Sequence, residues 1–147
     1  ETSVSINLGV NVAIPDDYIQ DMGQRLRTYK RVSSSRDEET LSNIRRETED
    51  RYGRVPQSVE DLFAYARLRR LAEELGVLSI DKTAEGIAIK FSENARISPE
   101  KLTAFVSREA HSTFTPAGVL RLNLEDSEAD NELQAAREAL LELRLDV

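Results

Sequence analysis

The sequence predicts an α+β fold, in which an N-terminal strand and three helices precede a ββαββα unit with a small, mostly antiparallel sheet. Apolar and polar residues alternate near the N-terminus and again in the second half, which is typical of strands. Between these segments, apolar residues recur at helical spacing. At 147 residues we predict one domain, with a helical part at about 15–76 and a sheet-containing part at about 77–147.

The first element is predicted to be a strand. From Val4 to Val12 apolar residues alternate with small or polar ones, which places the even-numbered side chains on one face. Pro15 ends this strand. Asp16 and Asp17 precede a helical segment, and N-terminal capping is a more common role for such carboxylates than acid–base chemistry or metal binding. The apolar residues of that segment follow at near-helical spacing: Tyr18, Ile19, Met22, Leu26 and Tyr29.

Two helices are predicted on either side of a sharp turn. The first runs from about Asp37 to Tyr52, and the second runs from about Val59 to Leu75 with Ser58 as its cap. Gly53 tolerates the left-handed conformation that ends many helices, and Pro56 cannot continue a helix. The inner face of the first helix is thin and half polar, and its residues are Leu41, Ile44, Thr48 and Tyr52.

The second half is predicted to contain two strand pairs, each followed by a helix. Short alternating segments meet at turns that contain glycine, and a Ser-Pro-Glu sequence is typical of a helix start. In chain order, the predicted elements are strands at Val77–Thr83 and Gly86–Ser92, a helix from Ser98, strands at Ser112–Thr115 and Val119–Leu124, and a helix from Glu128 to about Leu145.

The composition argues against several classes of function. A net charge of −7 and a sequence pI near 4.9 disfavour a general nucleic-acid binder, which needs a basic surface. There is no cysteine, His111 is the only histidine, and the six glycines form no phosphate-binding loop, so we predict no metal, no cofactor and no catalytic site. No apolar run approaches the ~20 residues that cross a bilayer, and we expect a cytoplasmic protein. Because the chain begins Glu1-Thr2-Ser3, we also expect it to be a module of a longer protein.

The strongest candidate for a binding site is acidic and lies at the end of the predicted helix Asp37–Tyr52. Glu47 and Asp50 share a helix face, where like charges repel, and the helix dipole disfavours carboxylates near a C-terminus. Glu47 can pair with Arg51 four residues later, but Asp50 can reach only Arg46, in the poorer order. Either these charges are neutralised locally, or they serve an arginine or lysine of another surface.

The only basic cluster lies in the preceding helix. Its members are Arg25, Arg27, Lys30 and Arg31, with Arg36 close behind. These side chains could contact nucleic acid or an acidic surface, and a solvated helix face paired with Glu38 and Glu39 is an equally good interpretation.

Three motifs, taken together, resemble a known family. They are Ile14-Pro15-Asp16-Asp17-Tyr18-Ile19, then Arg25-Leu26 with Tyr29-Lys30-Arg31, and then Asp50-Arg51-Tyr52-Gly53 with Pro56. In this order and spacing they resemble the C-terminal domain of the bacterial transcription-repair coupling factor family, over about residues 6–92. The sequence departs from the family at Thr48 and Glu49, where two apolar residues are usual.

The resemblance implies a regulatory domain of an ATP-driven DNA translocase that displaces stalled RNA polymerase and recruits the repair protein UvrA. Such a domain docks on the N-terminal UvrB-like module of the same protein and covers the UvrA-binding surface until polymerase is engaged. On this basis we expect Glu47, Asp50 and Arg51 to form the interdomain interface. Direct DNA contact is not expected of this domain alone. The alternative is an accessory nucleic-acid contact through the basic cluster Arg25–Arg31. The resemblance also implies that Pro15, Tyr18, Leu26, Tyr29, Tyr52 and Gly53 are core and turn residues.

Overall fold

The computed structural model describes residues 3–109 and 111–146, and over that range it confirms the α+β fold. The strands are β1 Ser5–Asn7, β2 Val77–Lys82, β3 Gly86–Phe91, β4 Ser112–Phe114 and β5 Val119–Asn123. The helices are α1 Met22–Ser33, α2 Glu38–Tyr52, α3 Gln57–Leu75, α4 Pro99–Arg108 and α5 Glu132–Leu143. The predicted order of elements is therefore correct throughout.

Contacts divide the chain into two compact units. A helical unit comprises Asn11–Arg70 and contains α1, α2 and most of α3. A sheet unit joins the described residues up to Val10 to those from Leu71 onward.

The sheet unit is built on five strands in the order β1-β2-β3-β5-β4. β1 pairs parallel to β2, whereas the other three neighbouring pairs are antiparallel. Apolar side chains that are fully buried at the centre of the sheet come from β2, β3 and β5, and α5 packs against β3. These side chains are Ile80, Ile87, Ile89 and Leu120. The mostly antiparallel sheet is as predicted.

The N-terminal segment keeps the predicted alternation but forms a shorter strand. Val4, Leu8 and Ile14 are buried, and the odd-numbered residues from Ser5 to Ala13 are exposed. Within the part of the chain that the structure describes, this segment pairs as a strand over Ser5–Asn7, parallel to Ser79–Asp81 of β2. The predicted strand Val4–Val12 is therefore too long, although its buried face is correct.

Helix starts follow the predictions in part. Asp37 caps α2 by accepting a hydrogen bond from the Thr40 N–H at 2.7 Å, and Ser98 caps α4 as expected. The predicted capping by Asp16 and Asp17 is wrong: these residues lie in a turn, and Asp21 caps α1. Two other starts also differ, because α3 begins at Gln57 with Ser58 inside its first turn, and α5 begins at Glu132 after the cap Asn131.

The helical unit has a compact apolar core around Phe63, which is fully buried. Its buried members are Ile14, Ile19, Val32, Leu41, Ile44, Val55, Val59, Leu62 and Phe63. Tyr18, Tyr29 and Tyr52 pack against this core, as predicted. Leu26 does not: its side chain is 61% exposed on the outer face of α1, so its assignment to the core is wrong.

Candidate functional site

The end of α2 is fixed by an unusual glycine conformation. Gly53 has φ 91° and ψ −168°, and its N–H donates to the Glu49 carbonyl at 2.9 Å. The positive φ agrees with the sequence prediction, but ψ is extended rather than left-handed helical. This region of the Ramachandran map is populated almost only by glycine. The chain therefore leaves α2 abruptly and enters α3 after Pro56.

Tyr18 holds this turn against the segment that precedes α1. Its hydroxyl donates to the Gly53 carbonyl at 2.8 Å, and its ring lies 5.9 Å from that of Tyr52 at an angle of 58°. Burial, followed by the nearby Glu49 carboxylate, raises the pKa of Tyr18, which further favours the protonated hydroxyl that donates this hydrogen bond. The aromatic residues of the sequence motifs thus position the acidic end of α2.

The last two turns of α2 present Glu47, Asp50 and Arg51 to solvent. Glu47 does not pair with Arg51, as one interpretation of the sequence suggested. It forms an ion pair with Arg31 of α1, with 3.1 Å between Oε1 and Nη2. The Arg51 guanidinium lies over the Tyr52 ring, 5.4 Å from its centroid.

Asp50 has an exposed carboxylate without a local counter-charge. Among residues 3–109 and 111–146 no side chain forms an ion pair or hydrogen bond with it. Arg46, the residue that the sequence offered as its partner, donates to the Asn43 side chain instead. Asp50 is thus available to a cation on another surface.

A second ion pair joins α2 to α3 behind this surface. Arg45 forms a bidentate ion pair with Glu60, with Nε–Oε1 at 2.9 Å and Nη2–Oε2 at 2.6 Å. Its Nη1 also lies 3.4 Å from Oε1 of Glu49. The hydrogen bonds to Arg45 lower the pKa of Glu60, and the same bonds raise the pKa of Arg45. Sequence patterns do not predict this pair, because its members are 15 positions apart and belong to different helices.

The basic cluster is divided between structural and free side chains. Arg25 donates to the carbonyls of Ile19 and Gln20 at 2.7 and 3.1 Å, and Arg31 binds Glu47. Arg27 donates to the neutral Gln24 side chain at 3.0 Å, and neither Arg27 nor Lys30 forms an ion pair within residues 3–109 and 111–146. The structure therefore brings Arg31 together with the acidic site and leaves Arg27 and Lys30 uncompensated.

The two positions that depart from the family pattern are accommodated differently. Thr48 is buried, and its hydroxyl donates to the Ile44 carbonyl at 2.7 Å, so its polar group is satisfied within the helix. Glu49 is exposed and pairs with Arg45.

The described residues contain neither a metal-binding cluster nor a membrane-spanning helix. No three histidine or carboxylate side chains in this part of the chain are placed to hold a metal ion. No helix among the same residues is long and apolar enough to cross a membrane.

Comparisons with known proteins agree on one family. The TRCF domain model matches residues 8–102. The transcription-repair-coupling factor of Haemophilus influenzae is 33% identical over 109 residues, which are 74% of this chain and 10% of that protein. The Escherichia coli protein of the same name is 30% identical over 139 residues, or 94% of this chain and 12% of that protein. The chain thus spans about a tenth of the length of these relatives.

One solved structure resembles the whole fold. It is described as the C-terminal domain of transcription-repair coupling factor, and it superposes with a TM-score of 0.79 over 97% of this chain and 94% of its own, at 18% identity.

Proposed function

Because this chain belongs to the TRCF domain family, we propose that it is a non-catalytic, cytoplasmic regulatory domain of a bacterial transcription-repair coupling factor. It docks on the N-terminal UvrB-like module of that protein, masks the UvrA-binding surface and restrains the DNA translocase until RNA polymerase is engaged. Docking and release form a two-state competition between an intramolecular interface and an external partner.

The observation that carries this proposal is the exposed acidic end of α2. Asp50 has no partner among the described residues, and Glu47 shares its helix face, so the surface offers charge to an external arginine or lysine. Arg45, Glu60 and Tyr18 hold that end of the helix in place, and a prepositioned surface loses little entropy on binding. A tethered partner has a high effective concentration, so a modest interface is sufficient.

The first experiment is a calorimetric titration of this chain into the UvrB-like module at two salt concentrations. We expect salt-sensitive binding that Glu47→Lys and Asp50→Lys each weaken, because charge reversal opposes the basic partner surface. Glu93→Lys is the matched control, since Glu93 is an exposed carboxylate of the sheet unit. In the full-length protein the same two reversals should increase UvrA binding, and an unchanged UvrA affinity would refute the docking model.

The alternative, an accessory nucleic-acid contact, has less support. It requires the cluster Arg25–Arg31, of which Arg25 and Arg31 are already engaged by protein groups. A titration of the chain with a short DNA duplex tests it, because phosphate contacts predict a steep loss of affinity with added salt.

A further inference from the structure

The outer face of α1 carries exposed apolar and basic side chains together. Met22 and Leu26 are 65% and 61% exposed, and they lie one helical turn apart. Lys30 continues the same row one turn further on, and Arg27 lies beside it. We call these four residues the α1 strip.

The charge of the α1 strip is not balanced locally. No acidic residue occurs between Met22 and Ser33, and Arg27 and Lys30 form no ion pair with any residue the structure describes. The chain as a whole carries −7, so this positive patch stands out from an acidic molecule. A complementary partner must therefore present carboxylates around an apolar contact.

The exposed apolar side chains of the α1 strip indicate a protein partner rather than nucleic acid. Phosphate contacts use lysine and arginine and gain nothing from exposed methionine and leucine, whereas protein interfaces place apolar anchors at the centre and polar groups at the rim. In the α1 strip, exposed Met22 and Leu26 adjoin the cationic Arg27 and Lys30, so apolar and charged contacts are available together.

From these observations we propose that the α1 strip is a second docking contact, which binds an acidic protein surface with an apolar centre. It adjoins the acidic site, because Arg31 at the edge of α1 binds Glu47. This inference rests on the proposed function, since it assigns the α1 strip to the same docking event. The whole surface would then present opposite charges side by side, which fixes the orientation of the partner as well as its affinity.

The test measures UvrA binding by the full-length protein that carries the domain. If the α1 strip holds the docked state, Leu26→Ser should increase UvrA affinity about tenfold, as for loss of an apolar hot spot, and Met22→Ser should act in the same direction. Leu145→Ser is the matched control, because Leu145 is another exposed leucine, 48% accessible, in the sheet unit. Circular dichroism of each variant chain should be unchanged, since these side chains contribute little to a core.

The pattern of single variants separates this proposal from the preceding one. If Glu47→Lys increases UvrA binding and Leu26→Ser leaves it within twofold, the α1 strip is not a docking contact but the acidic site stands. If only Leu26→Ser increases UvrA binding, the α1 strip is supported as a docking contact and the acidic site is refuted. If neither Glu47→Lys nor Leu26→Ser changes UvrA binding, both the acidic site and the α1 strip are refuted as docking contacts.

Two other occupants are tested with the chain itself. Binding to a short DNA duplex that Lys30→Glu abolishes and Leu26→Ser leaves unchanged would assign the α1 strip to nucleic acid and overturn the proposal. A dimer in sedimentation analysis that Leu26→Ser dissociates would assign it to self-association, with the same consequence. Lys90→Glu is the matched charge control, since Lys90 is an exposed lysine on β3.

Discussion

Arg31 and Glu47 join α1 to α2 through an ion pair of 3.1 Å, so one residue of the basic cluster neutralises one residue of the acidic site. Both side chains are about half exposed, at 46% and 60%. The contact is therefore weak and readily exchanged, and an external arginine would compete with Arg31 for the same carboxylate.

We predict that Arg31→Ala strengthens docking on the UvrB-like module about two- to threefold, because the Glu47 carboxylate then binds the partner without first breaking its ion pair with Arg31. The gain is limited to less than about 1 kcal/mol, since exposed pairs contribute little. Arg27→Ala is the comparison variant and should weaken docking if the α1 strip binds an acidic surface. Equal effects of the two substitutions in calorimetry would argue that only net charge matters.

The Arg45–Glu60 pair should make stability dependent on pH in the acidic range. The pKa of Glu60 is lowered in the folded state by its hydrogen bonds to Arg45. Its contribution is therefore fully present above the unfolded pKa of about 4.3 and is lost as pH falls through the lower folded value. Because the pair is partly exposed, we expect Glu60→Gln to cost about 1 kcal/mol at pH 7.

The check is urea unfolding of the wild type and Glu60→Gln at pH 7 and pH 3. The difference in free energy of unfolding should shrink at pH 3, which lies below the unfolded pKa of about 4.3. Glu93→Gln should show no such difference, because Glu93 is exposed and has no ion-pair partner among the residues that the structure describes. A Glu60→Gln penalty that is equal at both pH values would contradict the predicted ionic origin.

Gly53→Ala should destabilise the chain although the position has room for a side chain. A Cβ at Gly53 would meet nothing within 4 Å, so the cost is backbone strain alone, about 1–3 kcal/mol. Gly53→Asn should cost a similar amount, because asparagine tolerates the left-handed helical region but not an extended ψ. If chemical denaturation shows that asparagine restores stability, the conformation at this turn is the ordinary left-handed one.

Thr48→Val should be nearly neutral, within about 0.5 kcal/mol of the wild type. The valine fills the same buried space, and the Ile44 carbonyl that loses the hydroxyl is an acceptor of the α2 ladder. Thr48→Asp is the contrasting variant, since it would bury a charge with no partner. Thermal unfolding followed by circular dichroism distinguishes the two, and a large loss for valine would show that the hydroxyl is required.

Features set by local sequence were predictable, and those set by contacts between elements were not. Ser98 is predictable as a cap because a cap depends on the next three residues, and the predicted helix start near Asp37 is correct for the same reason. Leu26 was misassigned because helical spacing does not say which side of a helix faces the core. The partner of Glu47 was missed for a related reason: Arg31 lies 16 positions away and is brought near only by the packing of α1 on α2.

The short strands at the two borders of the sheet have a consequence for solubility. β1 and β4 lie at the ends of the order β1-β2-β3-β5-β4, and each has only three residues. A border this short offers few unpaired N–H and C=O groups as a template for another chain, which suppresses edge-to-edge aggregation. Removal of β1 would uncover Ser79–Asp81 and make the six-residue strand β2 the border of the sheet, so a version of the protein trimmed past Asn7 should precipitate or form fibrils more readily than the intact chain.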